Sequence, residues 1–237
     1  MACNRLHTSD NCTSLTCTAD GKSFLYRILV SVVCIINIIG MYNFATFNVR
    51  GLTKQLKRDL LIQDCYNYKL DLLCIQETKC TKFEDLKLSN NYRLIIMKQR
   101  DSRHGGLGFV IGPRMSRFVK SYRYVSDRVA FLDLDVPNPT AGSISYRIVN
   151  AYGPTNPRCI ANPQLVTDFY NTLSSATDVP SRYELFVLGD FNGRLGKLSE
   201  EERTLNVSNH VGRHGVGMRN NNGEHLLEFI VLNELFA

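Results

Sequence analysis

The sequence predicts a layered α/β (α+β) sandwich, and three observations predict it. Short apolar runs of strand length recur from about residue 42 onward. A few stretches of helical apolar spacing are interleaved with them, the pattern of sheets covered by helices. With 44% hydrophobic and 21% charged residues, the 237-residue chain can bury a core and is too apolar for wholesale disorder. The length suits one α/β domain with an extra segment, or at most two small domains. No internal repeat is visible.

Residues 1–23 are polar and aperiodic, a loose N-terminal tail. Residues 24–41 are apolar, and no charged residue occurs between Ile28 and Val49. That stretch is long enough to suggest a membrane or signal anchor through residues 24–43, since a span needs about 20 apolar residues. Against this, Asn37 interrupts the run, Arg27 opens it, and a strand beginning near Tyr42 leaves it short. The remainder, 42–237, reads as one domain. Residues 42–49 form a strand. A helix follows over 53–68, with Thr53 as N-cap and Leu56, Leu60, Leu61 and Cys65 on its apolar side. Strands are expected at 71–76, 92–97, 106–111, 129–136, 143–151 and 184–188. Helices are expected at 164–173 and 224–235, the last with Leu227, Ile230, Val231 and Leu235 on one side.

The net charge of +6 and pI of about 8.9 are compatible with a polyanionic partner, though the basic residues are spread along the chain. Arg50, Lys54, Lys57 and Arg58 cluster near the first motif below. A solvated helix face accounts for them more simply than a phosphate contact does. The eight cysteines include no CxxC pair and no zinc-finger spacing. Cys65 and Cys74 fall in apolar runs and read as buried hydrophobes, Cys80 could be an exposed thiol, and a reducing, intracellular setting is the simpler inference.

Four polar motifs stand where apolar strands end: Thr46-Phe-Asn-Val-Arg-Gly51, Ile75-Gln-Glu-Thr78, Val149-Asn-Ala-Tyr-Gly-Pro154 and Leu188-Gly-Asp-Phe-Asn-Gly193. Each has a structural explanation alone: Asn48 as a turn former, Glu77 as a capped or paired carboxylate, Tyr152 as turn packing, Asp190 to Gly193 as a reverse turn. Together, Asn48, Glu77, Asp190 and Asn192 make an oxygen-rich set suited to a hard cation such as Mg²⁺ and unsuited to zinc. A metal-holding carboxylate and an Asp beside an Asn are what hydrolysis of a phosphodiester needs.

In order and approximate spacing these motifs resemble the endonuclease/exonuclease/phosphatase (DNase I-like) superfamily. Their wording is similar to the apurinic-type endonuclease of LINE-like non-LTR retrotransposons, as are Arg103-His-Gly-Gly-Leu-Gly-Phe109 and Asn222-Gly-Glu-His-Leu-Leu-Glu-Phe229. The resemblance covers residues 42–237. It implies a four-layer fold with two mainly antiparallel sheets flanked by helices, its last strands missing here. Glu77 would ligate Mg²⁺ (or Mn²⁺), with Asn48 beside it. Tyr152 would contact the phosphate or stabilise the transition state. Asp190 would activate the attacking water, with Asn192 orienting it or the phosphate. The implied partner is DNA, cut on one strand to leave a 3′-hydroxyl; the implied location is nuclear, and no small-molecule cofactor is implied. The family's later Ile-Asp-Tyr-like and Ser-Asp-His motifs have no counterpart among the 237 residues, and none of His7, His104, His210, His214 and His225 follows Ser-Asp. The resemblance therefore implies an incomplete site and impaired hydrolysis. Other expectations are a phosphatase of the same fold, a nucleic-acid-binding module without activity, or a membrane-anchored fragment.

Overall fold

The computed structural model describes residues 34–38, 42–98, 105–138, 142–155, 161–204, 206–212 and 217–237. The N-terminal tail expected at 1–23 lies outside them. Among the described residues, ten strands fall into two sheets: β1 (Cys34–Ile38), β2 (Tyr42–Asn48), β3 (Leu72–Gln76), β4 (Glu84–Lys87), β5 (Arg93–Ile96) and β6 (Leu107–Ile111) in the first, and β7 (Val119–Ser126), β8 (Val129–Asn138), β9 (Gly142–Tyr152) and β10 (Tyr183–Asp190) in the second. The first runs β1-β2-β3-β6-β5-β4 and the second β10-β9-β8-β7. Each sheet is antiparallel except for one pair, β2 with β3 and β9 with β10.

Each parallel pair needs a crossover, and each crossover is a helix. Helix α1 (Gln55–Asn67) joins β2 to β3, and α2 (Pro163–Thr177) lies between β9 and β10. A short α3 (Glu200–Thr204) and α4 (Asn221–Leu232) follow. Asn162 caps α2 by accepting from the Leu165 N–H, with Pro163 in the first turn, where its missing N–H is harmless. Asn220 caps α4 by accepting from Gly223 N at 2.9 Å, so this helix begins three residues before the expected Glu224.

Three apolar layers hold the sandwich. Phe44, Leu72, Cys74, Phe109, Leu132, Ile148 and Leu188 fill the space between the sheets. Leu61, Ile62 and Cys65 of α1 pack on Ile75, Leu94 and Val110 outside the first sheet. Phe169 and Leu173 of α2 and Leu226, Phe229 and Ile230 of α4 pack on Phe131 and Val149 outside the second. The order is helix, sheet, sheet, helix. Strand β3 is one of the two central strands of the six-stranded sheet and is buried at every position, which explains its unbroken apolar run.

Several expectations change. Of the apolar 24–41 segment, residues 24–33 and 39–41 lie outside the described residues; Cys34–Ile38 are not helical but form an edge strand antiparallel to β2. Among the described residues no helix is long and apolar enough to cross a membrane. Helix α1 starts after Lys54, which makes no side-chain cap bond, so Thr53 is not its N-cap. Its buried side is Arg58, Leu61, Ile62 and Cys65, whereas Leu56 is 70% exposed. The helix turns this way because Arg58 is drawn inward: its guanidinium donates to both Glu84 carboxylate oxygens at 2.6 and 2.9 Å, and its Nε to Leu52 O at 2.9 Å. Arg58 is thus a strut to β4, not a solvated charge. Cys80 is buried as well, beside that guanidinium, so it is no exposed thiol.

Candidate active site

Along a strand, alternate side chains share a face. On the inward faces the same progression appears four times. Phe44 and Cys74 belong to the apolar interior, and Thr46 and Gln76 follow two residues on, with Asn48 after Thr46. In the second sheet Ile148 gives way to Asn150 and Tyr152, and Leu188 to Asp190. All four strands reach the site at their C-terminal ends, because each parallel pair points its two ends the same way.

Glu77 breaks the alternation. As the residue after Gln76 it would face outward, but its backbone turns left-handed, at φ 55°. For a non-glycine residue this conformation costs energy. The turn brings its carboxylate to the inner side. Arg50 and Lys79 share the left-handed conformation, at φ 48° and 57°. The loops are held by an extension of the sheet ladder: Gly51 N donates to Glu77 O at 2.6 Å, Leu52 N to Thr78 O at 2.8 Å, and Thr78 N to Gly106 O at 3.1 Å.

The five residues singled out from the sequence meet. Asn48 Nδ2 donates to Glu77 Oε1 at 2.8 Å and to Asp190 Oδ2 at 2.8 Å, spanning carboxylates 113 positions apart in the chain by way of one amide. Asn48 Oδ1 accepts from the Arg50 N–H at 3.1 Å. Tyr152 OH donates to Glu77 Oε1 at 2.8 Å. The Asp190 Oδ1 accepts from the Asn192 N–H at 3.1 Å, and Asn192 Nδ2 donates to Gly153 O at 3.0 Å. Burial pushes the Tyr152 phenol well above the usual tyrosine range, and the Glu77 carboxylate beside it adds to the effect. Tyr152 is therefore a proton-bearing donor at any working pH.

Three residues were missed. Arg128, in the turn before β8, donates from Nη1 to Tyr152 O at 3.0 Å and Gly153 O at 3.2 Å, with its guanidinium 5.3 Å from the Tyr152 ring centroid. Lys79 lies 3.9 Å from Glu77 Oε2. Gln76, quoted only as a neighbour of Glu77, joins Asn150 and Thr46 in a buried network directly beneath the site. Among the described residues no histidine reaches the cluster: His210 bonds Leu235 O through Nδ1, and His225 faces the Tyr170 ring. His104 and His214 lie outside the described residues.

The loop after Asp190 is tied down by a second charge centre. Arg219 donates from its two terminal nitrogens to Glu202 at 2.5 and 3.0 Å and from Nε to Leu195 O at 2.7 Å. Hydrogen bonds from Arg219 pull the Glu202 carboxyl from its ordinary 4.5 down to about 2. A depressed carboxyl stabilises above its unfolded value and loses that contribution as pH falls through the folded one. Glu202→Gln is therefore expected to speed amide exchange in residues 194–203 at pH 6, with the difference from the parent closing between about pH 4.5 and 2. An unchanged difference at pH 2 would refute the linkage.

These features define a class. The chain belongs to the endonuclease/exonuclease/phosphatase family, whose profile matches residues 45–214. It is 26% identical over 195 residues to craniofacial development protein 2 of Bos taurus and 25% identical to that of Tragulus javanicus, in each case over 82% of this chain. It spans only 30% and 31% of those proteins' lengths. Its fold is similar to the catalytic domain of APE2 from Xenopus laevis, with TM-score 0.54 and 14% identity over 78% of this chain and 67% of that one. It is also similar to an AP endonuclease from Leishmania major, with TM-score 0.55 and 17% identity over 81% of this chain and 66% of that one. These likenesses establish the DNase I-like fold.

Members of this family generally work with divalent metal ions. Among the described residues no three His, Cys, Asp or Glu side chains gather into a ready-made metal nest. The donors present are oxygens only. Glu77 Oε1 is engaged by Asn48 and Tyr152, which leaves Oε2, 3.9 Å from the Lys79 ammonium, outside those two hydrogen bonds. One or two carboxylates with water and substrate phosphate completing the shell is the habit of a small hard cation. The site fits such an ion.

Proposed function

We propose that this domain hydrolyses phosphodiester bonds in DNA, nicking one strand in the manner of the retrotransposon-type endonucleases whose motif wording it shares. The preferred cation is Mg²⁺, with Mn²⁺ as a substitute, and the place of action is the nucleus. One observation carries the reading: a single amide, Asn48, holds Glu77 and Asp190 at 2.8 Å each, with Tyr152 on the same Glu77 oxygen. A structural turn would need none of these long-range contacts.

Glu77 would hold the cation through Oε2, with Asn48 beside it. Bound there, the ion would neutralise phosphate charge and make a nearby water easier to deprotonate. Asp190 supplies the base. Its Oδ1 is fixed by the Asn192 N–H and its Oδ2 by Asn48, so the carboxylate is oriented before substrate arrives. Asp190 would take the proton as the water oxygen bonds to phosphorus and the P–O3′ bond breaks, the departing 3′ oxygen taking a proton from solvent to end as the hydroxyl. Tyr152 keeps its proton and donates it as a hydrogen bond, either to Glu77 or to a phosphate oxygen that gains charge. Arg128 fixes Tyr152 and Gly153 from behind.

The test is nicking of supercoiled plasmid by the full chain with Mg²⁺ and with EDTA. The expected result is relaxed circles only with the metal. The absence of a histidine at the cluster among the described residues favours a second reading, a nucleic-acid-binding module without cleavage. Salt-dependent plasmid binding by a folded protein that never nicks would replace the first reading with the second.

A further inference from the structure

Between the apolar interior and the site lies one layer of buried polar side chains. Thr46 of β2 and Gln76 of β3 come from the first sheet, and Asn150 of β9 comes from the second. They are 7%, 1% and 0% exposed. Gln76 Nε2 donates to Asn150 Oδ1 at 2.7 Å and to Thr46 Oγ1 at 2.9 Å. Asn150 Nδ2 donates across the gap to Ile75 O at 3.1 Å and Gly108 O at 2.9 Å, which lie opposite each other on β3 and β6.

Each member takes part in at least one of these bonds, and the bonds join the two sheets. The arrangement is unusual for its place. The equivalent positions one step deeper, Phe44, Cys74 and Ile148, are apolar and hold the sheets together by packing alone. Apolar packing would serve stability equally well at the next layer, since replacing both partners of a buried hydrogen bond by apolar groups of similar shape is close to neutral. What packing lacks is direction. Hydrogen bonds of 2.7 to 3.1 Å set both separation and lateral register between the sheets.

The residues next along are the ones that need this. Asn48 and Glu77, from the first sheet, must meet Tyr152 and Asp190, from the second, with bonds of 2.8 Å. Gln76 immediately precedes Glu77, Thr46 stands two residues before Asn48, and Asn150 stands two before Tyr152. We propose that Thr46, Gln76 and Asn150 are positioning residues whose buried hydrogen bonds fix the two sheets in the register that brings Glu77 and Asn48 onto Tyr152 and Asp190. The proposal rests on the hydrolytic reading for its effect on rate, but its geometric content stands independently.

The test uses the full chain with 3-fluorotyrosine at position 152, read by ¹⁹F NMR without metal or substrate, beside plasmid nicking. The double variant Gln76→Met/Asn150→Leu replaces both central partners with apolar groups of similar size. Its melting temperature is expected to stay within a few degrees of the parent's. Its Tyr152 fluorine resonance is expected to move and broaden as the hydrogen bond to Glu77 loosens, and kcat to fall about thirtyfold with KM changed less than threefold. Thr46→Val removes one acceptor only and serves if the double variant does not fold; it should move the resonance in the same direction by less. An unmoved, sharp fluorine resonance in whichever variant folds overturns the proposal. A parent that does not nick, together with a resonance that still moves in the variant, would instead refute the hydrolytic reading and leave the positioning role standing.

Discussion

Glu77→Gln is expected to reduce Mg²⁺-dependent nicking about a thousandfold in kcat/KM while leaving the fold intact. The side chain is isosteric, and its Oε1 still accepts from Asn48 Nδ2 and Tyr152 OH, both at 2.8 Å in the parent. What disappears is the negative charge at Oε2 that would hold the cation. Metal ions contribute several kcal/mol to phosphoryl chemistry, and each factor of ten in rate corresponds to about 1.4 kcal/mol. The measurement is a plasmid-nicking time course beside a thermal melt. Undiminished nicking by the variant would show that the cation is held elsewhere. A collapsed melt would show instead that the charge at 77 holds the loops together.

Gly189→Ala is expected to destabilise the protein by about 3 kcal/mol and to remove nicking at the same time. A Cβ at position 189 would lie 2.0 Å from Ala151 O and 2.8 Å from Ala151 C. Both are backbone atoms of β9, paired in register with β10, so neither can swing aside as a side-chain tip would. Relief requires the two strands to part, and Asp190 is the next residue along. Gly142→Ala is the control. Its φ of +75° is also unfavourable for alanine, but nothing lies within 4 Å of the added carbon. It should cost only about 1 kcal/mol and leave the site alone. Equal losses in urea unfolding for the two variants would mean that backbone conformation, not the collision, governs position 189.

The candidate site was legible where its residues are polar letters at the ends of apolar words. Asn48, Glu77, Tyr152, Asp190 and Asn192 all lie in such places, and the structure brings all five together. Their roles relative to one another were not legible. That Asn48 spans two carboxylates follows from the gap between sheets, which no spacing along the chain encodes. Arg128 was invisible because it sits in a turn without a motif and acts largely on backbone carbonyls, which have no letter. Asn150 and Gln76 carried a signal that could have been used. Each is a polar residue at an inward position of a strand otherwise apolar on that face, and such a residue must find a partner.

The fold was legible in proportion to burial. Strand β3, buried at every position, stood out as an apolar run. Strand β4 alternates between half-buried and exposed at the sheet's edge and carries too few apolar letters to be seen. Strand β1 was hidden in the opposite way, within an apolar stretch whose length suggested a helix. In α1 two overlapping sets of residues fit the helical period. The choice between them fell to Arg58 and Glu84, which are remote in sequence.

The two parallel pairs have a consequence for how this scaffold tolerates change. Because β2, β3, β9 and β10 all bring the candidate residues to their C-terminal ends, the opposite rim of the sandwich carries, among the described residues, other connections, such as the end of the β8–β9 ladder where Asn138 pairs with Gly142. Among the described residues the candidate groups and the loops that hold them share one rim, and no member of the cluster lies on the other. Loops on the far rim can lengthen, shorten or acquire foreign sequence by drift while the reacting groups stay in place, so a lineage of such domains can diversify its appendages without relearning its chemistry.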